Sequence, residues 1–195
     1  MKNPEGVTPD LYNEDYYINN CQGYTEDGNP CPRLLKLFSY AKNPSTIIDI
    51  GCGRGEANRF FSGSSCHVFS VDFSPAVCNF LKKGGKDYSL LMHDLSSGLP
   101  WLKDEYFEVA ILADVLEHLY DFQLGVLCPD ILRIIKKGGQ ILIDTPIVKN
   151  GNSTLHVNVK KETKEIIDFF PGTKMEDISW FMEPYHCNII LRKLP

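Results

Sequence analysis

Residues 46–57 read TIIDIGCGRGEA, and this stretch decides the fold. Thr46 to Ile50 form a short apolar, β-branched run, the pattern of a buried strand. Gly51, Gly53 and Gly55 follow at alternate positions. Glu56 and Ala57 then open a polar–apolar pattern that reads as a helix. Strand, glycine-rich turn and helix are how open α/β sheets bring backbone close to a nucleotide-like ligand. Asp49 stands on the strand just before the turn, where a carboxylate reaches the same crevice.

Strand and helix signals alternate outward from this stretch. Strands are expected at 67–71, 88–92, 107–112 and 140–144. Helices are expected near 55–62, from Ser74-Pro75 to Gly84-Gly85, and from about 120 to Gly138-Gly139. In the last of these, Leu124, Leu127, Ile131 and Ile134 recur at steps of three and four. Pro129 is expected to kink or restart that helix. A further helix fits 159–170, ahead of Pro171-Gly172. Two strand-like runs around Glu183-Pro184 close the chain as a hairpin. The fold class is therefore α/β: a Rossmann-like, doubly wound, mostly parallel seven-stranded sheet with a C-terminal antiparallel hairpin. Residues 1–45 read as a helical or irregular cap, with a helix in PRLLKLF from Pro32. Residues 46–195 read as the ligand-binding domain, and the whole as one domain. The tyrosines at 12, 16, 17 and 24 fit packing aromatics or a lid over a ligand. Trp180, Phe181 and Tyr185 fit core positions.

Composition narrows the function. The chain has 195 residues, net charge −5 and 43% hydrophobic residues, ordinary for a globular domain. An acidic balance disfavours a nucleic-acid partner, which needs a basic surface. No apolar run reaches the ~18–20 residues of a membrane span, and the polar start MKNPEGVTPD is unlike a signal peptide. Seven cysteines without a CxxC pair read as reduced thiols, implying a cytoplasmic protein with no metal site.

The ends of successive strands carry Asp49, Asp72, Asp94 and Ala113-Asp114. Ligands of open α/β sheets sit outside those carboxyl ends. Asp72 lies about 20 residues past the glycine turn, the offset at which an acid meets ribose hydroxyls. The turn departs from G-x-G-x-x-G, with its third glycine one residue early and Glu56 where a pyrophosphate would be repelled. The crevice therefore suits a cationic ribonucleoside without phosphates, rather than a dinucleotide.

Five pieces in order resemble the class I S-adenosylmethionine-dependent methyltransferases. They are D-x-G-x-G-x-G from Asp49 to Gly55, Asp72, His93-Asp94, ADVLEHL at 113–119, and KKGGQILIDTP at 136–146. The resemblance implies S-adenosyl-L-methionine as cofactor. It implies that Gly51, Gly53 and Gly55 pass their backbone along the methionine part, with Asp49 holding the amino group. It places Asp72 on the ribose with Phe73 against the adenine, Asp94 and Leu95 at the adenine edge, and Ala113 near the sulfonium. Members with E-x-x-E-H at the fourth strand bind a divalent metal; Asp114 replaces the first acid here, and no metal is expected. His118 and His156 are the candidate general bases, although His118 also fits a structural turn and His156 a helix cap. With no large insertion between strands, the acceptor is expected to be a small molecule, in a pocket that a homodimer could complete. A non-catalytic cofactor-binding module and a nicotinamide-dependent oxidoreductase are the competing classes; the early glycine disfavours the second.

Overall fold

The computed structural model describes residues 11–19, 29–83, 89–147, 156–181 and 185–195. The seven strands are β1 (Thr46–Ile50), β2 (His67–Asp72), β3 (Ser89–Met92), β4 (Phe107–Ala113), β5 (Ile135–Pro146), β6 (Thr173–Phe181) and β7 (His186–Lys193). The helices are α1 (Glu14–Asn19), α2 (Pro32–Phe38), α3 (Glu56–Phe61), α4 (Pro75–Lys83), α5 (Asp121–Ile134) and α6 (Thr163–Ile167). The sheet order is β3-β2-β1-β4-β5-β7-β6. β1 to β5 pair in parallel, and β7 is antiparallel to both β5 and β6. The expected architecture is therefore the observed one. The winding reverses between β1 and β4, and it is at such a switch point that a crevice opens at the strand ends.

β1 is buried on both faces, which explains its unbroken apolar run. Ile48 and Ile50 join the core under α5 and α6, together with Leu124, Leu127, Ile131 and Ile166. Ile47 faces the other way, into a second core with Leu34, Leu37 and Phe38 of α2 and Phe61 of α3. The N-terminal segment is thus built into the sheet's packing.

Several element bounds differ from the sequence pattern. Pro129 does not restart α5, which continues through it as one helix of 14 residues. An interior proline costs about 3 kcal/mol. Full burial of Leu124, Leu127, Ile131 and Ile134 contributes roughly 1.5–3 kcal/mol each and outweighs it. Gly138-Gly139 do not end α5; they lie inside β5, which begins at Ile135. There the register jumps from Phe107↔Ile135 to Val109↔Gln140, so the glycines carry a bulge. A Cβ on Gly139 would stand 2.8 Å from the Glu108 carbonyl oxygen, so only glycine fits. The helix expected over 159–170 is confined to Thr163–Ile167. Trp180 is 56% exposed and Tyr185 62%, so neither is core: the pleat of the edge strand β6 turns Trp180 outward. Gly84-Gly85, Tyr24 and the Glu183-Pro184 turn lie outside the described residues.

Candidate functional site

A cavity of about 490 Å3 opens at the carboxyl ends of β1, β2 and β4. Asp49, Gly51, Gly53, Asp72, Phe73, Asp94, Leu95, Ala113, His118 and His156 all line it. Ten of the eleven residues singled out by sequence are thereby brought together. Gly55 is the exception. It caps α3 with φ of 81°, and a Cβ there would stand 2.3 Å from Leu81 Cδ2, so its place is against α4.

The glycine turn is shaped by backbone needs. Gly51 has φ of 71°, and its missing side chain makes room for Val115, whose Cγ2 lies 2.5 Å from where a Cβ would sit. Gly53 donates its N–H to Asp72 Oδ2 at 3.0 Å, while the Ser74 N–H reaches Asp72 Oδ1 at 2.9 Å. The acid that ends β2 is thus oriented by two backbone donors. Asp94 accepts from the Ser96 N–H at 2.9 Å and caps the short 3-10 turn Leu95–Ser97.

Carboxylates dominate this end of the cavity. Burial pushes Asp49 well above the usual carboxylate range, and the charges of Glu56 and Asp72 push it further. Burial lifts Glu56 to about 7, against the pull of Arg54 and Arg59. Asp72 is also raised by burial, with the Ser74 and Gly53 N–H groups pulling it back. Among the described residues no hydrogen bond reaches the buried Glu56 Oε1, and Arg54 Nε stands 4.0 Å from it. Three desolvated acids around one hollow are unfavourable when ionised, unless positive charge enters between them. The residues therefore fit a cofactor that carries a cationic amino group, a ribose diol and an adenine: Asp49 and Glu56 for the first, Asp72 for the second, Phe73 and Leu95 beside the third.

Tyr12, Tyr16 and Tyr17 cover this end. Tyr12 and Tyr17 are buried, and their rings cluster with Tyr16 and Phe73. Tyr17 Cε1 lies 3.8 Å from where a Cβ on Gly53 would be. These three tyrosines are packing aromatics of a small core with Ala76, Val77 and Leu81 of α4, and the same rings line the cavity.

The opposite end was largely hidden in the sequence. Arg33 of α2 forms ion pairs with Asp144 of β5 and, at 2.5 Å, with Asp114. His186 Nδ1 lies 2.7 Å from Asp144 Oδ1 and 3.3 Å from Asp114 Oδ1. Asn188 Nδ2 donates to the Arg33 carbonyl at 2.9 Å. Asp114 holds φ of 55°, a left-handed conformation that aspartate tolerates better than most residues. Burial raises Asp144, while its contacts with His186 and Arg33 pull it down. Beside this group, Glu117 accepts from the Thr145 hydroxyl at 3.0 Å and is raised chiefly by burial. His118 Nδ1 pairs with the Tyr12 hydroxyl at 2.9 Å, and its ring centroid lies 5.0 Å from that of His156. Burial lowers His156, which favours its neutral ring. Ligand atoms of Glu117, His118 and His156 lie within 4.8 Å of one another, as do those of Asp114, Asp144 and His186. Arg33 already supplies positive charge to the second trio.

No local pattern announced His186 or Arg33. His186 pairs with Pro146 across the antiparallel β5–β7 ladder, two steps from the Asp144–Asn188 pair. That diagonal contact depends on strand order. The one available signal was Asp144 itself, an acid directly after the apolar run Ile141 to Ile143.

A methyltransferase-domain family model matches residues 24–181. The 18S rRNA (guanine-N(7))-methyltransferase of Schizosaccharomyces pombe is 23% identical over 180 residues, covering 89% of this chain and 61% of that protein. The malonyl-[acyl-carrier protein] O-methyltransferase of Hamiltonella defensa is 26% identical over 157 residues, covering 80% of this chain and 58% of its own length. The chain thus spans about three-fifths of these two relatives. Among solved structures, an S-adenosylmethionine-dependent methyltransferase from Archaeoglobus fulgidus superposes with a TM-score of 0.68 at 20% identity, over 83% of this chain and 91% of that one. The 1,6-didemethyltoxoflavin-N1-methyltransferase of Burkholderia thailandensis, solved with S-adenosylhomocysteine, gives 0.70 at 16% identity, over 84% and 77%. These two likenesses are of fold.

Proposed function

The chain belongs to the S-adenosylmethionine-dependent methyltransferase family, and from that premise we propose that it transfers the cofactor's methyl group to a small-molecule acceptor. One observation carries the reading. Asp49, Glu56 and Asp72, all desolvated, surround a single hollow beneath an aromatic cover. Such a site selects a cationic adenosyl compound and disfavours a phosphate-bearing one.

When bound, the cofactor supplies a methyl group already activated on a sulfonium sulfur. The protein's own work is to hold, align and exclude water. Asp49 and Glu56 hold the amino cation. Asp72, oriented by Gly53 and Ser74, accepts from the ribose hydroxyls. Phe73 and Leu95 flank the adenine, Asp94 meets its edge, and Ala113 bounds the methyl side. Tyr12, Tyr16 and Tyr17 close over the seat. Fixing two reactants in line can supply about 7–11 kcal/mol of a transfer barrier. His118 and His156 line the acceptor end, where His156 is held toward its neutral form by burial and so keeps a lone pair for an acceptor proton.

The covered cavity and the net charge of −5 support a small acceptor over a polynucleotide. A second reading has its own support. Two curated relatives, from Schizosaccharomyces pombe and Mus musculus, are named 18S rRNA (guanine-N(7))-methyltransferases. Calorimetry with S-adenosylhomocysteine, S-adenosylmethionine and NAD tests the cofactor. The sulfur compounds are expected to bind and NAD to fail; the reverse rejects the proposal. Methyl transfer to a metabolite panel, run beside ribosomal RNA, tests the acceptor. Turnover of RNA alone would select the second reading. For the described residues, no helix is long and apolar enough to cross a membrane.

A further inference from the structure

We propose that His186 is a general base for an acceptor that arrives with its proton still on, a neutral phenolic hydroxyl. The inference rests on the methyltransferase reading above and narrows its acceptor. His186 lines the cavity, and its Nδ1 lies 2.7 Å from Asp144 Oδ1. A carboxylate has no hydrogen to give, so Nδ1 carries the hydrogen and donates it. In the neutral ring Nε2 then holds the lone pair. Among the described residues no hydrogen bond reaches Nε2. A histidine fixed at one nitrogen by a buried acid, with the other facing a substrate cavity, is the arrangement of a base whose partner sets its tautomer.

Arg33 from α2, Asp114 after β4 and Asp144 from β5 meet at the ring: Asp144 Oδ1 and Asp114 Oδ1 lie 2.7 and 3.3 Å from Nδ1, and Arg33 pairs with both acids. Glu117 and His156 are the further titratable groups lining this end of the cavity. The proton passes from the hydroxyl oxygen to Nε2, and the electron pair stays on that oxygen, ready to form the bond to the methyl carbon. Asp144 acts through His186 and is a positioning residue.

The chemistry of the acceptor decides whether such a base has work to do. A carboxylate is ionised at neutral pH, and guanine N7 carries a lone pair and no hydrogen. Neither needs deprotonation. A phenol, with an ordinary pKa near 10, does. A base there is worth roughly 10²–10⁴-fold in rate.

The test uses the full chain saturated with S-adenosylhomocysteine, with 4-nitrophenol as probe, at a pH where the free phenol is mostly neutral. The wild-type complex is expected to bind it as the visible-absorbing phenolate. His186→Asn and His186→Gln should keep their affinity for S-adenosylhomocysteine and lose the bound phenolate band at least tenfold. Asp144→Asn should weaken the band and shift its pH dependence. With S-adenosylmethionine, the His186 variants should lose about 10²-fold or more on unsubstituted phenols and under fivefold on phenols already ionised. A phenolate band unchanged in both variants, no bound phenol in the wild type, or equal losses for neutral and ionised phenols would overturn the assignment while S-adenosylhomocysteine still binds. Failure of the wild type to bind S-adenosylhomocysteine would overturn the parent reading instead.

Discussion

Asp72→Asn separates the role of one carboxylate in ligand binding from its role in the fold. Asp72 is 4% exposed and accepts the Gly53 N–H at 3.0 Å and the Ser74 N–H at 2.9 Å. Asparagine keeps the shape and one carbonyl oxygen, but places an NH2 group where the second acceptor stood. One backbone N–H is then opposed by a donor, and a ribose diol loses a charged acceptor. Hydrogen bonds to charged groups contribute about 1.5–3 kcal/mol each. The affinity for S-adenosylhomocysteine should therefore fall roughly 10- to 150-fold. The fold loses a similar amount, since one of its two backbone contacts goes. Calorimetric titration of the folded variant gives the first quantity, and urea unfolding without ligand gives the second. Stability lowered with affinity intact would refute the reasoning, because Asp72 would then be a structural clamp whose carboxylate never meets the ligand.

The remaining expectations concern charge and backbone. Glu56 is raised from 4.5 to about 7 in the folded protein, so the folded state keeps a proton that the unfolded chain has lost. Stability should accordingly fall between pH 4.5 and 7 by about 3 kcal/mol from this group and then level off; in urea unfolding across that window Glu56→Gln should show a total decline smaller by about that amount. A cation seated between Asp49 and Glu56 favours their ionised forms, so S-adenosylhomocysteine should release protons on binding at pH 7, read by calorimetry in two buffers of different ionisation enthalpy. Gly51→Ala should cost about 2 kcal/mol or more, combining a left-handed φ with the Val115 contact, whereas Gly125→Ala inside α5, where nothing lies within 4 Å, should stabilise by about 0.5–1 kcal/mol in thermal melts. Arg33→Met leaves the buried Asp144 and the partly exposed Asp114 without their guanidinium partner and should cost about 3–5 kcal/mol in urea unfolding.

What sequence disclosed about this molecule follows from how local each signal is. β1 and its turn were legible because one short stretch holds the apolar run, the positive-φ glycines and the acid. Asp72, Asp94 and Ala113 were legible because each sits at or just past the end of a recognisable strand. The bulge at Gly138-Gly139 was misread as a helix stop, since both uses of glycine look alike until the partner strand is known. The restart expected at Pro129 does not occur: the local cost of the proline is visible in sequence, while the burial that offsets it is not. Glu117, lying in a short 3-10 turn, gave no periodic signal, and its burial is a property of the assembled site.

The two ends of the cavity differ in where their residues come from, and this difference separates what a family pattern can disclose. Asp49 and Asp72 at one end belong to β1 and β2, which are neighbours in the sheet and successive strands of the chain. Their spacing is fixed by the winding, so any chain folding this way around the same cofactor tends to show them. The other end joins α2, the turn after β4, and the antiparallel pair β5–β7, where Arg33 meets partners 81 and 111 residues away. Those contacts depend on how α2 lies on the sheet: Leu34, Leu37 and Phe38 bury against Val109, Ile111 and Leu142 and so carry Arg33 to the strand ends. A chain can keep its cofactor seat while exchanging every one of these side chains. On the proposed function, the acceptor is to be sought in the chemistry of Arg33, Asp144 and His186, because the glycine turn constrains only the molecule that the family shares.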